Sequence, residues 1–251
     1  MQITSLTIQG GLDKSGNAEL EAVTVQSGDI CCLVGPTGSG KSRLLGDIEW
    51  LAQEDTPSRR TVLLNGEKPG RGAREGLQGK WVAQISQNMN FVLDMLALDF
   101  LEMHAESQGI VDAKEGAHKV IDCANELCGE PFDAQTPLTF LSGGQSRALM
   151  IADTAIFGKS PVVLIDEIEN AGVDKLAALK LFSDAQKIVF LASHDPLLIL
   201  LSTFRVVIRN GGMSQVIRTS EAEKQFLVEL QAMDARQMEL RRKLRAGIPI
   251  V

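Results

Sequence analysis

A chain of 251 residues with 44% hydrophobic content and a mean hydropathy near zero can bury one large core, which excludes a disordered chain. Its formal charge of -7 and pI of about 5.1 exclude phosphate-backbone binding as a main role, because that affinity rests on clustered Lys and Arg. No nucleic-acid partner is therefore expected. No apolar stretch approaches the roughly 20 residues of a bilayer span, and Met1-Gln2-Ile3-Thr4 opens the chain without a basic leader or cleavage site. A cytoplasmic chain is expected, peripheral at the inner face of a membrane if it has spanning partners.

In chain order, residues 2–9 and 20–26 alternate apolar and polar, as strands do. Ile30-Cys31-Cys32-Leu33-Val34 is continuously apolar, the mark of a strand buried on both faces, with at least one of its cysteines in the core. A Gly-rich loop leads into a helix predicted over Lys41–Gln53, and 54–60 reads as a polar loop. Strands are predicted over 61–65 and 80–86. Between them, 68–80 carries Gly70, Gly72, Gly76 and Gly79 with Lys68, Arg71, Arg74 and Lys80. It is either a solvated excursion or an anion-contacting loop. Helices are predicted over 92–107, 113–129 and 144–157, with Pro131 and Pro137 between the last two. Cys123 and Cys128 fall five apart on the second of them, off a common face. Reduced structural thiols are expected, a metal site being the alternative. Strands 162–165 and 188–192 then alternate with helices 174–184 and 196–202, and a hairpin 205–218 turns at Asn210-Gly211. The layout is α/β with a helical insertion.

Three motifs carry chemistry. Gly35-Pro36-Thr37-Gly38-Ser39-Gly40-Lys41-Ser42, between an apolar strand and a helix, fits the phosphate-binding pattern. Glycines let consecutive N–H groups converge on phosphate oxygens, and the helix adds its positive end. Lys41 supplies a charge for the β- and γ-phosphates, and Ser42 an oxygen for Mg²⁺. In Val162-Val163-Leu164-Ile165-Asp166-Glu167 an apolar strand ends on two carboxylates. Asp166 is placed to hold Mg²⁺ through its water shell, and Glu167 to face a water attacking the γ-phosphate. Leu141-Ser142-Gly143-Gly144-Gln145 precedes a helix and makes a second anion site of the Ser142 hydroxyl and the N–H groups of Gly143 and Gly144.

With that pentapeptide the chain resembles the ATP-binding cassette (ABC) ATPases over about residues 1–218. The resemblance implies a P-loop NTPase with a RecA-like core, an antiparallel β subdomain and an inserted helical subdomain. The nucleotide-binding domain would span 1–220 (core 1–87 and 158–220, helices about 88–157), with a helical extension over 221–251. It implies ATP hydrolysis with Mg²⁺, and two copies of the chain sandwiching two ATP, each bound by Gly35–Ser42 of one copy and Ser142–Gln145 of the other. Gln87, with Gln84 as competitor, takes the place of the glutamine that reaches Mg²⁺ and the attacking water. His194 matches the switch histidine at the γ-phosphate, and Asp174 the aspartate that touches the partner subunit.

The chain departs from the family in three places. It has no aromatic residue before Trp50, where an adenine-stacking ring is usual, and Leu12 offers only an apolar contact. Weak discrimination between ATP and GTP is expected. The segment 166–174 lacks the usual Pro-Thr or Pro-Ser and is one residue longer. After 220, Phe226, Leu230, Met233, Gln237, Leu240 and Leu244 form a short heptad seam ending in Arg241, Arg242, Lys243 and Arg245. That seam either packs on its own domain or joins a partner. The expected function is the ATPase subunit of a transporter with separate membrane-spanning subunits. The apolar run 91–101 would dock on them or form the helical core. The alternative is a soluble ABC-type switch acting on a cytosolic partner.

Overall fold

A computed structural model describes residues 2–74, 81–86, 90–166 and 172–249. The strands are β1 (Ser5–Gln9), β2 (Ala22–Gln26), β3 (Ile30–Val34), β4 (Thr61–Leu64), β5 (Val82–Ile85), β6 (Val162–Asp166), β7 (Ile188–Ala192), β8 (Phe204–Arg209) and β9 (Gly212–Arg218). The helices are α1 (Lys41–Glu49), α2 (Arg71–Arg74), α3 (Ala97–Ser107), α4 (Ala113–Leu127), α5 (Gly143–Ile156), α6 (Lys175–Asp184), α7 (Pro196–Leu201) and α8 (Glu221–Arg245). Strands β2, β1 and β4 form an antiparallel sheet. A second sheet has the order β5-β6-β7-β3-β8-β9, parallel except for β9, which returns antiparallel through Asn210 (φ 47°) and Gly211 (φ 85°). Two positive φ values in a two-residue connection match the twist of the flanking strands, hence the Asn-Gly pair.

The central parallel strands β3, β6 and β7 are buried on both faces, which is why they read as unbroken apolar runs. On one face Cys32, Val163, Ile165, Val189 and Leu191 pack with α3, α4 and α5. On the other Cys31, Leu33, Leu164 and Phe190 pack with α1 and the antiparallel sheet. Cys31 and Cys32 are therefore both fully buried, one in each core, and burial pushes the Cys31 thiol well above its ordinary range.

Three elements differ from the sequence reading for tertiary reasons. Helix α1 stops at Glu49, short of Gln53, because Leu51 turns left-handed (φ 48°) and Gln53 is drawn into a β-bridge with Thr61. Helix α3 starts at Ala97 instead of residue 92. The backbone before it is taken by the segment leading to α5: Ala97 N–H donates to Thr136 O and Leu98 N–H to Ala134 O, both at 3.0 Å. The run 91–101 is thus split, with Ala97, Leu98 and Leu101 buried while Val92 is 89% exposed.

Helix α8 forms, but its inner face coincides only in part with the expected seam. Its half-buried positions include Glu223, Leu227, Leu230, Asp234 and Leu240, so Leu230 and Leu240 of the expected seam are kept, while Phe226, Met233, Gln237 and Leu244 are exposed. Charges tie that face to the body. Arg205 bonds Glu223 at 2.6 Å and brings the Glu223 carboxyl down to about 2, and Lys175 bonds Asp234 at 2.9 Å. No helix among the described residues is long and apolar enough to cross a membrane.

The two sheets are joined by a charge cluster centred on Arg60, the last residue of the polar stretch 54–60. Arg60 is fully buried. Its guanidinium grips Glu19 (2.7 and 2.8 Å), Asp47 of α1 (2.7 Å) and the carbonyl of Gly211 (2.7 Å). Ser58 Oγ adds a bond to Asp47 at 2.7 Å, and Glu19 accepts from Gly11 N–H at 2.8 Å. Burial works against the charge on Arg60, but the two carboxylates prevail and raise its pKa. Removing one partner of such a group leaves buried charge uncompensated. Arg60→Met should therefore lower unfolding free energy by about 3 kcal/mol or more, read by urea titration, whereas a surface pair would change it by less than about 1 kcal/mol.

Candidate nucleotide site

Register brings the motif-bearing loops together. Leu33 of β3 pairs with Ala192 of β7, which pairs with Asp166 of β6, while Ile165 pairs with Ile85 of β5. The ends of these strands and the described segments that leave them, at Gly35, His194, Asp166 and Ser86, therefore lie side by side at the carboxyl edge of one parallel sheet. That edge is where open α/β sheets bind ligands.

The loop after β3 is held for close approach. Gly40 caps α1 at φ 110°, and a Cβ there would lie 2.7 Å from Gly211 Cα, so no other residue fits. No side chain caps this helix start, which leaves its first N–H groups for an outside acceptor. Lys41 Nζ folds back on the loop, donating to Gly35 O at 2.8 Å and Pro36 O at 3.2 Å. Pro36, Thr37, Gly38 and Ser42 are exposed. Ser39 is buried, and its hydroxyl finds no partner among the described residues. An orphaned hydroxyl, open N–H groups and a lysine lying on carbonyls together suit a multiply charged anion.

Asp166 closes β6 half-buried. Glu167 and Gln87 lie outside the described residues. The competitor Gln84 sits at the wrong end of α1: with its amide nitrogen turned inward it lies 3.1 Å from a carboxylate oxygen of Glu49, the last residue of that helix. His194 is exposed at the edge, between buried Ser193 and half-buried Asp195. Asp195 caps α7 through Leu197 N–H (2.9 Å) and also pairs with Lys175, which bridges it to Asp234 of α8. Burial opposes the Lys175 ammonium, but these two carboxylates outweigh it and raise its pKa.

Ser142 caps α5 in a reciprocal box: its N–H donates to Gln145 Oε1 (2.8 Å) and its Oγ accepts from Gln145 N–H (3.3 Å). Gln145 also donates to Glu130 O at 3.0 Å, so this pentapeptide is braced by its own neighbourhood and leaves Ser142 and Gly143 facing outward. Asp174 caps α6 through Leu176 and Ala177 N–H at 3.0 Å, while its own N–H donates to Leu127 O at 2.7 Å and Val173 bridges Cys128. A Cβ on Gly172 would lie 3.6 Å from Gly144 Cα. The segment entering α6 therefore links the end of α4 to the start of α5. No residue type or spacing in the sequence signalled these ties, nor the Lys175–Asp195–Asp234 chain.

Comparison with known proteins agrees with this arrangement. The profile of the ABC transporter family matches residues 21–170. The chain is 49% identical over 248 residues to an uncharacterized ABC transporter ATP-binding protein of Methanocaldococcus jannaschii, covering 98% of this chain and 95% of that one. CbiO1 of Clostridium perfringens, part of the ABC transporter complex CbiONQ, superposes with a TM-score of 0.65 over 96% of this chain and all of the other, at 19% identity. A dimeric ATP-binding cassette bound to ADP and phosphate superposes with a TM-score of 0.63 over 86% of this chain and 99% of its own, at 20% identity. The chain belongs to the ABC transporter family, in the place of its ATP-binding and ATP-hydrolysing component.

Proposed function

We propose that two copies of this chain close over two ATP molecules and drive separate membrane-spanning subunits. The observation that carries this reading is the pairing of two anion-receptive helix starts on one chain. The start of α1 is uncapped behind Gly35–Ser42, while the start of α5 is built rigidly by Ser142 and Gln145 and faces outward. A second half that is exposed to solvent is open to another copy.

In this reading the open N–H groups at the start of α1, with the Lys41 ammonium, hold the β- and γ-phosphates. Ser142, Gly143, Gly144 and Gln145 of the other copy close on the γ-phosphate. Glu167 takes the proton of the attacking water, Gln87 orients that water, and His194 contacts the γ-phosphate beside it. Ser42 and Asp166 present a hydroxyl and a carboxylate, the hard oxygen donors that suit Mg²⁺, with Gln87 as the further ligand. When bound, the ion would neutralise charge on the phosphates. The spanning subunits find apolar purchase at Val92 and Leu93, exposed by 89% and 45% just ahead of α3.

Lys41→Ala removes the charge at the β- and γ-phosphates and should weaken ATP binding by at least about tenfold in a protein that still folds, as calorimetry reads; unchanged affinity discards the phosphate loop. Glu167→Gln should keep ATP affinity while slowing turnover by about a hundredfold or more, the scale of a lost general base. With hydrolysis blocked, the ATP-bound dimer should accumulate in sedimentation, and adding Ser142→Arg should return it to monomer. A Glu167→Gln protein that stays monomeric in saturating ATP rejects the sandwich for the isolated chain. For the transport reading, the tagged chain expressed in its own cells should co-purify with polytopic membrane chains from detergent-solubilised membranes. Recovery solely with soluble partners favours a cytosolic switch instead.

A further inference from the structure

Directly over the phosphate loop lies a cation that belongs to none of the motifs. Lys14 Nζ donates to Gly38 O at 2.8 Å, at the exposed crown of the loop. Gly38 has φ 76°, and a Cβ there would meet nothing within 4 Å, so the crown opens to solvent apart from this ammonium. The backbone that carries Lys14 is fixed from several sides. Its N–H donates to Asn210 O at 2.8 Å, and the Asn210 amide bonds Ser15 Oγ at 2.8 Å. Asp13 closes the turn by accepting from Ser15 and Asn17 N–H at 2.8 and 2.9 Å. A Cβ on Gly211 would come 2.7 Å from Lys14 Cγ, and Gly211 N–H donates to Ser39 O at 2.7 Å. The lysine stem is therefore based against the same glycine that packs under Gly40, while its charged end is exposed and engages a neutral carbonyl.

A neutral carbonyl is a weak partner for an ammonium when a polyanion sits in the adjacent loop. We propose that Lys14 is a nucleotide-contacting residue whose ammonium leaves Gly38 O for the phosphate oxygens of the bound nucleotide. The chain thereby holds the phosphates with a second lysine, from the β1–β2 connection, where no aromatic ring is present to hold the base. Such a contact strengthens binding without regard to the base and is sensitive to salt. The proposal rests on Gly35–Ser42 being the phosphate site, and Lys41→Ala measured alongside keeps the two separate.

The test is calorimetry of the full chain with ADP and with GDP, at low and high salt, for wild type, Lys14→Met and Lys14→Arg. Lys14→Met should weaken both nucleotides by about fivefold, with a flatter salt dependence, and Lys14→Arg should restore most of the loss. The melting temperature without nucleotide should not move, since the side chain is exposed. Wild-type affinity in Lys14→Met, while Lys41→Ala is impaired, overturns the contact and leaves the phosphate loop standing. A loss confined to one base overturns it in favour of base reading. A loss with unaltered salt dependence reduces Lys14 to a brace for the loop and overturns it as well.

Discussion

A guanidinium sealed from water between two carboxylates sets the geometry on which the nucleotide site depends. Arg60 leaves the edge of the antiparallel sheet and meets Glu19 from the β2 approach, Asp47 from the middle of α1, and the Gly211 carbonyl from the β8–β9 turn. Buried charge does not tolerate a missing partner, so these segments keep one relative position or the cluster fails as a whole. Gly211 is the point where this matters for phosphate. Its carbonyl is held by Arg60, its N–H donates to Ser39 O, and its Cα lies where only a glycine at 40 can pass. The turn of a distant hairpin thus supports the phosphate loop from below, and it is itself supported by a charge that never reaches solvent.

The parallel sheet does complementary work. Because β3, β6 and β7 are buried on both faces, their register cannot slip by a residue without exchanging the contents of two cores. Leu33, Ala192 and Asp166 are consequently held level, and the loops that follow them inherit that alignment. Rigid strands ending together, with polar chemistry confined to what comes after them, are a sound way to place reactive groups within hydrogen-bond tolerance.

A third set of contacts joins the motifs to the periphery. The segment after β6 is zipped to the end of α4 through Val173–Cys128 and Asp174–Leu127, and Gly172 approaches Gly144 at the start of α5. Lys175, one residue further on, links Asp195 beside His194 to Asp234 of the C-terminal helix. The two ends of the expected ATP sandwich, and α8 as well, therefore share the few residues 172–175. Helix α8 is held on the body by ion pairs at Glu223 and Asp234 together with half-buried Leu227, Leu230 and Leu240, and its exposed face carries Phe226, Met233 and Leu244.

By itself the sequence determined whatever depends on neighbours along the chain. Unbroken apolar runs marked the buried strands, Asn210-Gly211 the hairpin, and the three motifs the family and the residue types of the site, because periodicity, turn chemistry and glycine tolerance act over a few residues. The placement of those residues at one sheet edge, the buried pairing of Arg60, the start of α3, the face on which α8 packs and the reach of Lys14 over Gly38 were decided by tertiary structure. Arg60 shows why. Its partners stand 13, 41 and 151 positions away, so a residue that reads as loop polarity becomes the centre of the fold only after distant segments have been brought together around it. The same holds for α8, where the apolar spacing marked Leu230 and Leu240 but not the ion pairs to Arg205 and Lys175 that tie the inner face to the body. Pairing of charges between remote elements leaves no period in a sequence, and it is the contribution that only the folded chain can supply.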